Sequence, residues 1–373
     1  MFRSNFAYKY CPLLSISLSE ITALKELPNK DKESILPIFP LKSWMTAKKL
    51  NSALDKVQEA IGKGRKWVAD IDNADLESRD KENFREVHKD LEKLANPADG
   101  YKNWYDFILK NPNIIPCLQL GDLDQVPSQI ERLNSCDRGI VAIFSKEELE
   151  ADWFFDVLEM LRKAPDLFVI LDLGDITDEQ IKLIDQIEDY LKNVKRVLPQ
   201  ALLSVSCSSF PYNFSGRSQG NYSILERALF DKLNFKVDGL VYSDRAGARA
   251  GRLGGGGGVP HPRIDYASRN DWFFIRMELN GNSGISDPEE RKQADKKEKQ
   301  ELYTLIARDI MAQEYWEDLD LWANYAIRLT AEGDDFGINT AQKATAVRIN
   351  KHLFTQLHYG SVEEIDTDDD WED

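Results

Sequence analysis

The chain has 373 residues, enough for two to three domains or for one large α/β barrel of about 250 residues with an appendage. At 42% hydrophobic and 30% charged residues it is not a wholesale disordered polymer, and no apolar run approaches the roughly 18–20 residues of a membrane span. A net charge of −16 argues against a protein that coats nucleic-acid backbone, although a local arginine cluster still permits a nucleic-acid contact. The start, Met1 to Phe6, has no apolar signal core, so a cytoplasmic location is expected. Cys11, Cys117, Cys136 and Cys207 are scattered and lack disulfide-scaffold, zinc or redox spacing.

Eight short apolar runs follow one another along the first two thirds of the chain. They are Cys11–Ile16, Ile35–Phe39, Trp67–Ile71, Ile114–Leu118, Ile140–Phe144, Leu167–Leu171, Ala201–Val205 and Gly239–Tyr242. Near-continuous apolar runs of this length suit strands buried on both faces of a parallel sheet. The segments between them read as helices. Ser17-x-x-Glu20, Ser145-x-x-Glu148 and Thr177-x-x-Gln180 have capping-box spacing, and Phe154–Leu161 and Ile181–Leu191 repeat apolar residues at helical intervals. The long connection from Asp72 to Asn113 has room for helices at Asp80–Leu94 and Tyr101–Lys110. The pattern predicts an α/β fold, a (β/α)8 barrel with a C-terminal helical elaboration. A doubly wound open sheet is the alternative, since alternation alone does not show closure.

The alternation stops after Tyr242. Residues 246–258 are rich in Gly and Arg and end in five glycines, which suits a loop and not the interior of a helix or strand. Arg263–Tyr266 and Trp272–Met277 read as a hairpin. A long helix is expected from a Ser286 cap, with Pro288 in its first turn, to about Trp316, and another at Leu319–Thr330. The segment Ala346–Tyr359 is expected to end in a strand, Leu353–Tyr359. Trp153, Trp316, Trp322 and Tyr325 read as core or helix-packing residues. The tail Glu363–Asp373 holds eight carboxylates and half the net charge, either as a solubilising end or as a docking tail with Trp371 as anchor. The implied division is 1–245 barrel, 246–285 loop and hairpin, 286–362 helical region packed on the barrel, and 363–373 acidic tail.

Tyr10-x-Pro12-Leu13, Glu20-x-x-Ala23-Leu24-x-x-Leu27 and Ile35-x-Pro37-Ile38 resemble the opening of the Beta protein family, a group of phage- and prophage-associated proteins. The resemblance resumes at Pro262-Arg263-Ile264-Asp265-Tyr266, with Trp272 and Arg276 behind it, and again at Arg348-Ile349-Asn350-Lys351-His352. The chain departs from the family pattern at Ser15–Ser19, where a basic residue often precedes the Glu, and at Lys351-His352, where paired histidines often occur. The resemblance implies a barrel. It also implies a role in conflict between phages, since one member lies in a satellite-phage locus linked to defence.

In a barrel, chemistry gathers at the C-terminal strand ends, here Lys42, Asp70, Asp72, Gln119, Ser145, Asp172, Asp175, Ser206, Ser208, Asp244 and Arg245. Carboxylates on several strand ends suit a hard divalent cation, Mg²⁺ or Mn²⁺, with Asp70 and Asp172 as ligands and catalytic residues. The plainer reading is that each acid caps the helix that follows it. Alternation is expected to point one of Asp70 and Asp72 inward and the other outward. Glu20, Lys42, Asp72, Asp244, Arg245, Arg263, Tyr266 and Arg348 are candidate ligand-binding residues, and His352 is the candidate catalytic histidine. For Glu20 the capping position already suffices, and for His352 and His358 a shared face requires a strand. The Gly/Arg run lacks the ending of a phosphate-binding P-loop, leaving an anion-gathering lid or a plain loop.

Three functions are consistent with these readings. The first is an anti-phage defence component of abortive-infection type, which senses an invader-derived ligand, a small anion for example, or a protein of its own locus or of the invading phage. The second is a metal-dependent phosphodiesterase or nuclease. The third is a non-catalytic interaction subunit. No membrane association is expected.

Overall fold

A computed structural model describes residues 2, 6–182, 184–214, 216–251, 260–282 and 284–360. The acidic tail with Trp371, and the glycine run with Arg252, lie outside the described residues. Two compact units interleave along the chain. The first takes Met1–Ser17, Lys32–Ser209 and Leu225–Ala250; the second takes Leu18–Asp31, Phe210–Ile224 and Gly251–Asp373.

The first unit is mixed α/β with parallel sheets. Strands β1 (Ile38–Leu41), β2 (Trp67–Ile71) and β3 (Ile114–Pro116) form one sheet in that order. Strands β4 (Ile140–Ser145), β5 (Leu167–Asp175), β6 (Leu202–Ser208) and β8 (Leu240–Tyr242) form another; β7 (Gln219–Ser223) belongs to the second unit. Seven of the eight apolar runs thus contain a strand. The first run makes isolated parallel bridges, Tyr10 to Ile35, Tyr10 to Tyr242 and Leu13 to Ile38, and Cys117 bridges Val141. A closed ring of eight strands is more than these sheets state.

Register explains where the core lies. Ile38 faces Val68, Val68 faces Ile115, Val141 faces Phe168, and Phe168 faces Leu202. Together with Cys11, Leu13, Leu36, Cys117, Ile170 and Val241 these side chains form one apolar cluster fed by all eight segments. Side chains alternate across a strand, so the intervening residues, Phe39, Ala69, Ala142, Phe144, Val169 and Leu203, lie on the opposite face and are equally buried. Burial on both faces is why the runs are continuously apolar.

The helices follow with local corrections. Ser145 and Glu148 make the expected capping box. The connection after β2 holds a short helix, Asn73–Glu77, before helices Glu86–Ala95 and Ala98–Lys110. The helix expected at Ile181–Leu191 runs Ile184–Val197.

The second unit carries an antiparallel sheet in the order β7, β10 (Asp271–Arg276), β9 (Arg263–Ala267), so the predicted hairpin gains a third strand. The long helix is Pro288–Met311, and it is Asp287, not Ser286, that caps it, accepting from Glu289 and Glu290 backbone N–H at 2.9 and 2.8 Å. A helix at Trp322–Glu332 follows, and Tyr325 on it is 53% exposed, not core. The strand expected at Leu353–Tyr359 is the end of a helix, Ala341–Leu357, capped by Thr340. Nearly every residue from Ala344 to Leu357 is buried, so this helix lacks the polar stripe that marks an amphipathic helix in sequence.

Candidate functional site

The face that carries the apolar cluster turns polar at the C-terminal strand ends. Continuing the same face by two residues from the last apolar member leads from Val68 to Asp70, from Cys117 to Gln119 and from Ile170 to Asp172, and on β6 the face that begins at Leu202 continues through Ser204 to Ser206. Asp172 lies opposite Ser206 in the β5–β6 register and opposite Ser145 in the β4–β5 register.

Within this layer the side chains pair. Gln119 Nε2 donates to Asp70 Oδ1 at 2.8 Å, and Lys42 donates to Ser15. Arg245 forms an ion pair with Asp172, whose Oδ1 also accepts from Gly174 N–H at 3.2 Å. Burial pushes the Asp70 carboxyl up, against the lowering effect of the Gln119 hydrogen bond, to about 6. Two buried donors beside Asp172 have no hydrogen-bond partner among the described residues: Ser206 Oγ and Arg245 Nε.

Asp72 does something else. It caps the helix Asn73–Glu77, accepting from Asp75 N–H at 2.9 Å. The expected separation of Asp70 from Asp72 therefore has a different cause. Residues two apart share a face while a strand runs; β2 ends at Ile71, and the chain turns into the cap. Asp244 is fully buried, held by the phenols of Tyr10 and Tyr242, the latter at 2.6 Å, and by Ala246 N–H at 2.7 Å. The Arg227 guanidinium lies 3.4 Å from the Tyr242 ring centroid. Glu226 accepts from Ser209 N–H at 2.7 Å, and burial raises its carboxyl. The roles of Tyr10 and Glu226 leave no local signal in the sequence, since their partners Asp244 and Ser209 lie 234 and 17 positions away.

The remaining candidates lie in the second unit. Asp265, 4% exposed, sits between two guanidiniums: Arg263 Nε at 2.8 Å and Arg348 Nη1 at 2.9 Å. Each guanidinium also lies over a ring, Arg263 on Phe214 and Arg348 on Phe210, both at 3.7 Å from the centroid. Tyr266 lies 5.1 Å from Lys351 Nζ, which pairs with Glu317. His352 is fully buried and stacks on Trp272 at 4.6 Å, while His358 meets Asp31 at 2.9 Å. Six positions on a helix turn the two histidines to different faces. Glu20 is buried in the helix Leu18–Lys25, which Ser19 and Asn350 tie to the helix Ala341–Leu357. All of these contacts lie within the second unit.

Among the described residues no three His, Cys, Asp or Glu side chains group closely enough to hold a cation. Asp70 is engaged by Gln119 and Asp172 by Arg245. Among the described residues no helix is long and apolar enough to cross a membrane.

The profile of the Beta protein family matches residues 10–358. Over 376 aligned residues the chain is 26% identical to protein beta of Enterobacteria phage P4, with 98% of each chain covered.

Proposed function

Because the chain belongs to the Beta protein family, we propose that it is a phage-type protein whose first unit is a closed (β/α)8 barrel that binds a small anionic ligand at its C-terminal face. Closure is supported by the parallel bridges Tyr10–Tyr242, Leu13–Ile38 and Cys117–Val141, which join the outer strands of the two sheets directly or through the first apolar run. It is supported also by the single apolar cluster to which all eight segments contribute. In such barrels ligands sit at the C-terminal strand ends.

The observation that carries the ligand reading is the pair of buried donors that have no partner among the described residues, Ser206 Oγ and Arg245 Nε, flanking Asp172. A buried donor left unmade costs about 1–3 kcal/mol, which a ligand's acceptor oxygen would recover. A guanidinium with a free N–H edge favours carboxylate or phosphate. By likeness to a phage protein along the whole chain, the ligand is read as a signal of an invading phage and the protein as an anti-phage defence component of abortive-infection type acting in the cytoplasm.

Thermal unfolding with inorganic phosphate, nucleoside mono- and triphosphates and dicarboxylates tests the site. A ligand at a hundredfold its Kd stabilises the folded state by about 2.7 kcal/mol. The expected result is a shift with at least one anion that disappears in Ser206→Ala and Arg245→Met. No shift across the panel, or one unchanged in both variants, removes the ligand reading. Plating of a challenging phage on cells that express the wild type or Arg245→Met tests the defence role separately; equal plating on both and on empty-vector cells removes it.

A further inference from the structure

The second unit has a groove of about 600 Å³ lined by Asp320, Trp322, Tyr325, Leu329, Asp334 and Phe336, with Lys343 at one side. Trp322, Tyr325, Ala326 and Leu329 are spaced i, i+3, i+4, i+7, so one face of the helix Trp322–Glu332 forms a wall. Phe336 also lines the groove and is 78% exposed. Its exposure is held in place by the turn beneath it. Phe336 N–H donates to Asp334 Oδ1 at 2.7 Å, Lys343 donates to the Phe336 carbonyl, and Ile338 N–H donates to Thr330 Oγ1 at 2.6 Å. Gly337 packs so closely on Thr330 that a Cβ there would meet Thr330 Cα at 2.7 Å. A hydrogen-bonded turn that holds a phenyl ring in water, in one groove with an exposed tyrosine, is an apolar surface that no described residue covers.

Charge says what covers it. Residues 314–335 carry seven carboxylates against Arg328 alone. Arg328 is paired with Asp318, and Lys343, which donates to the Phe336 carbonyl, is the one cation among the groove's lining residues against Asp320 and Asp334. Asp320 is exposed and makes no hydrogen bond among the described residues. Three aromatic side chains beside carboxylates attract a cation twice, through the ring faces and through Coulomb's law.

We propose that this groove is the docking site for a basic amphipathic segment of a partner protein, its apolar side against Tyr325 and Phe336 and its Lys or Arg side chains toward Asp320 and Asp334. The site is independent of the ligand site of the first unit. The acidic rim disfavours nucleic acid and anionic lipid surfaces.

The test uses the full chain and three fluorescent helical peptides with the same leucine face and with Lys/Arg, Glu or Gln on the other. Fluorescence anisotropy should show the basic peptide bound and the other two not, with affinity falling as salt rises. Tyr325→Ala with Phe336→Ser should weaken binding at least tenfold, and so should Asp320→Asn with Asp334→Asn. Glu289→Gln with Glu290→Gln, an equal change of charge on another exposed surface, should leave it unchanged. The changed side chains are exposed, and an unaltered melting temperature confirms that each variant is folded. Equal weakening by the Glu289/Glu290 variant would show attraction to the acidic chain at large and overturn the proposal. Binding of the Glu or Gln peptide as tight as that of the basic one would overturn it as well. Self-association in sedimentation that disappears in the Tyr325/Phe336 variant would assign the groove to a second copy instead.

Discussion

Arg348 Nη1 donates to Asp265 Oδ2 at 2.9 Å, fastening the helix Ala341–Leu357 to β9 across 83 positions. Arg263 reaches the same carboxylate, and the rings of Phe210 and Phe214 floor the two guanidiniums. The two late segments that carry the family resemblance are therefore in contact, and their contact is the buried centre of the second unit.

Removing the shared carboxylate takes from two guanidiniums their common partner. Asp265→Ala is expected to destabilise by about 3–5 kcal/mol, the usual cost of breaking a buried pair from one side. Arg348→Met keeps Arg263 on the carboxylate and should cost less. Urea unfolding of both variants checks the order; an Arg348→Met variant weaker than Asp265→Ala would show that packing on Phe210, not charge, dominates.

The raised Asp70 carboxyl makes stability depend on pH. In the unfolded chain it titrates near its ordinary 3.8, in the folded chain near 6. Between these values the folded chain holds a proton that the unfolded chain has released, so stability falls as pH rises through the window and stays lower above it. Asp70→Asn should abolish that fall. At pH 7.5 the variant should be the more stable by about 1 kcal/mol, less than the full shift implies because the group is partly exposed. Parallel stability profiles of wild type and variant between pH 4 and 7 would refute this.

Tyr10 and Tyr242 both point their hydroxyls at Asp244. Tyr10→Phe should cost about 1.5–3 kcal/mol, the range for a hydrogen bond to a charged group. Tyr242→Phe should cost a similar amount, and the double variant should differ from the sum because the two phenols donate to the two oxygens of one carboxylate. Strict additivity in denaturant melts would show that the hydroxyls act separately.

All four cysteines are free thiols. Cys11, Cys117 and Cys207 are buried and Cys136 is partly exposed. Burial pushes the thiols of the three buried residues upward, away from the reactive thiolate. A disulfide reagent at pH 8 should titrate about one thiol in the native chain and all of them in urea. Rapid labelling of more than one native thiol would place Cys11, Cys117 or Cys207 within reach of solvent.

What the sequence determined by itself is local. Seven apolar runs contain parallel strands, because a strand buried on both faces must be apolar along its whole length. The Ser145–Glu148 cap was readable, because both partners lie within one turn. The strand β7 was not: Gln219–Ser223 is polar and alternates between exposed and half-buried positions, and it is a strand only because β10 offers it a hydrogen-bonding edge. Nor was the helix Ala341–Leu357, whose burial on nearly every side removes the amphipathic signal. The candidate site divides in the same way. Strand ends identified Asp70, Gln119, Asp172, Ser206 and Arg245 from position alone. Tertiary structure decided which of them pair, that Tyr10 and Tyr242 enclose Asp244, and that Arg263, Arg348 and His352 make their contacts within the second unit. The pairs Tyr10–Asp244, Gln119–Asp70, Arg245–Asp172 and Arg348–Asp265 join residues tens to hundreds of positions apart, which no local periodicity encodes.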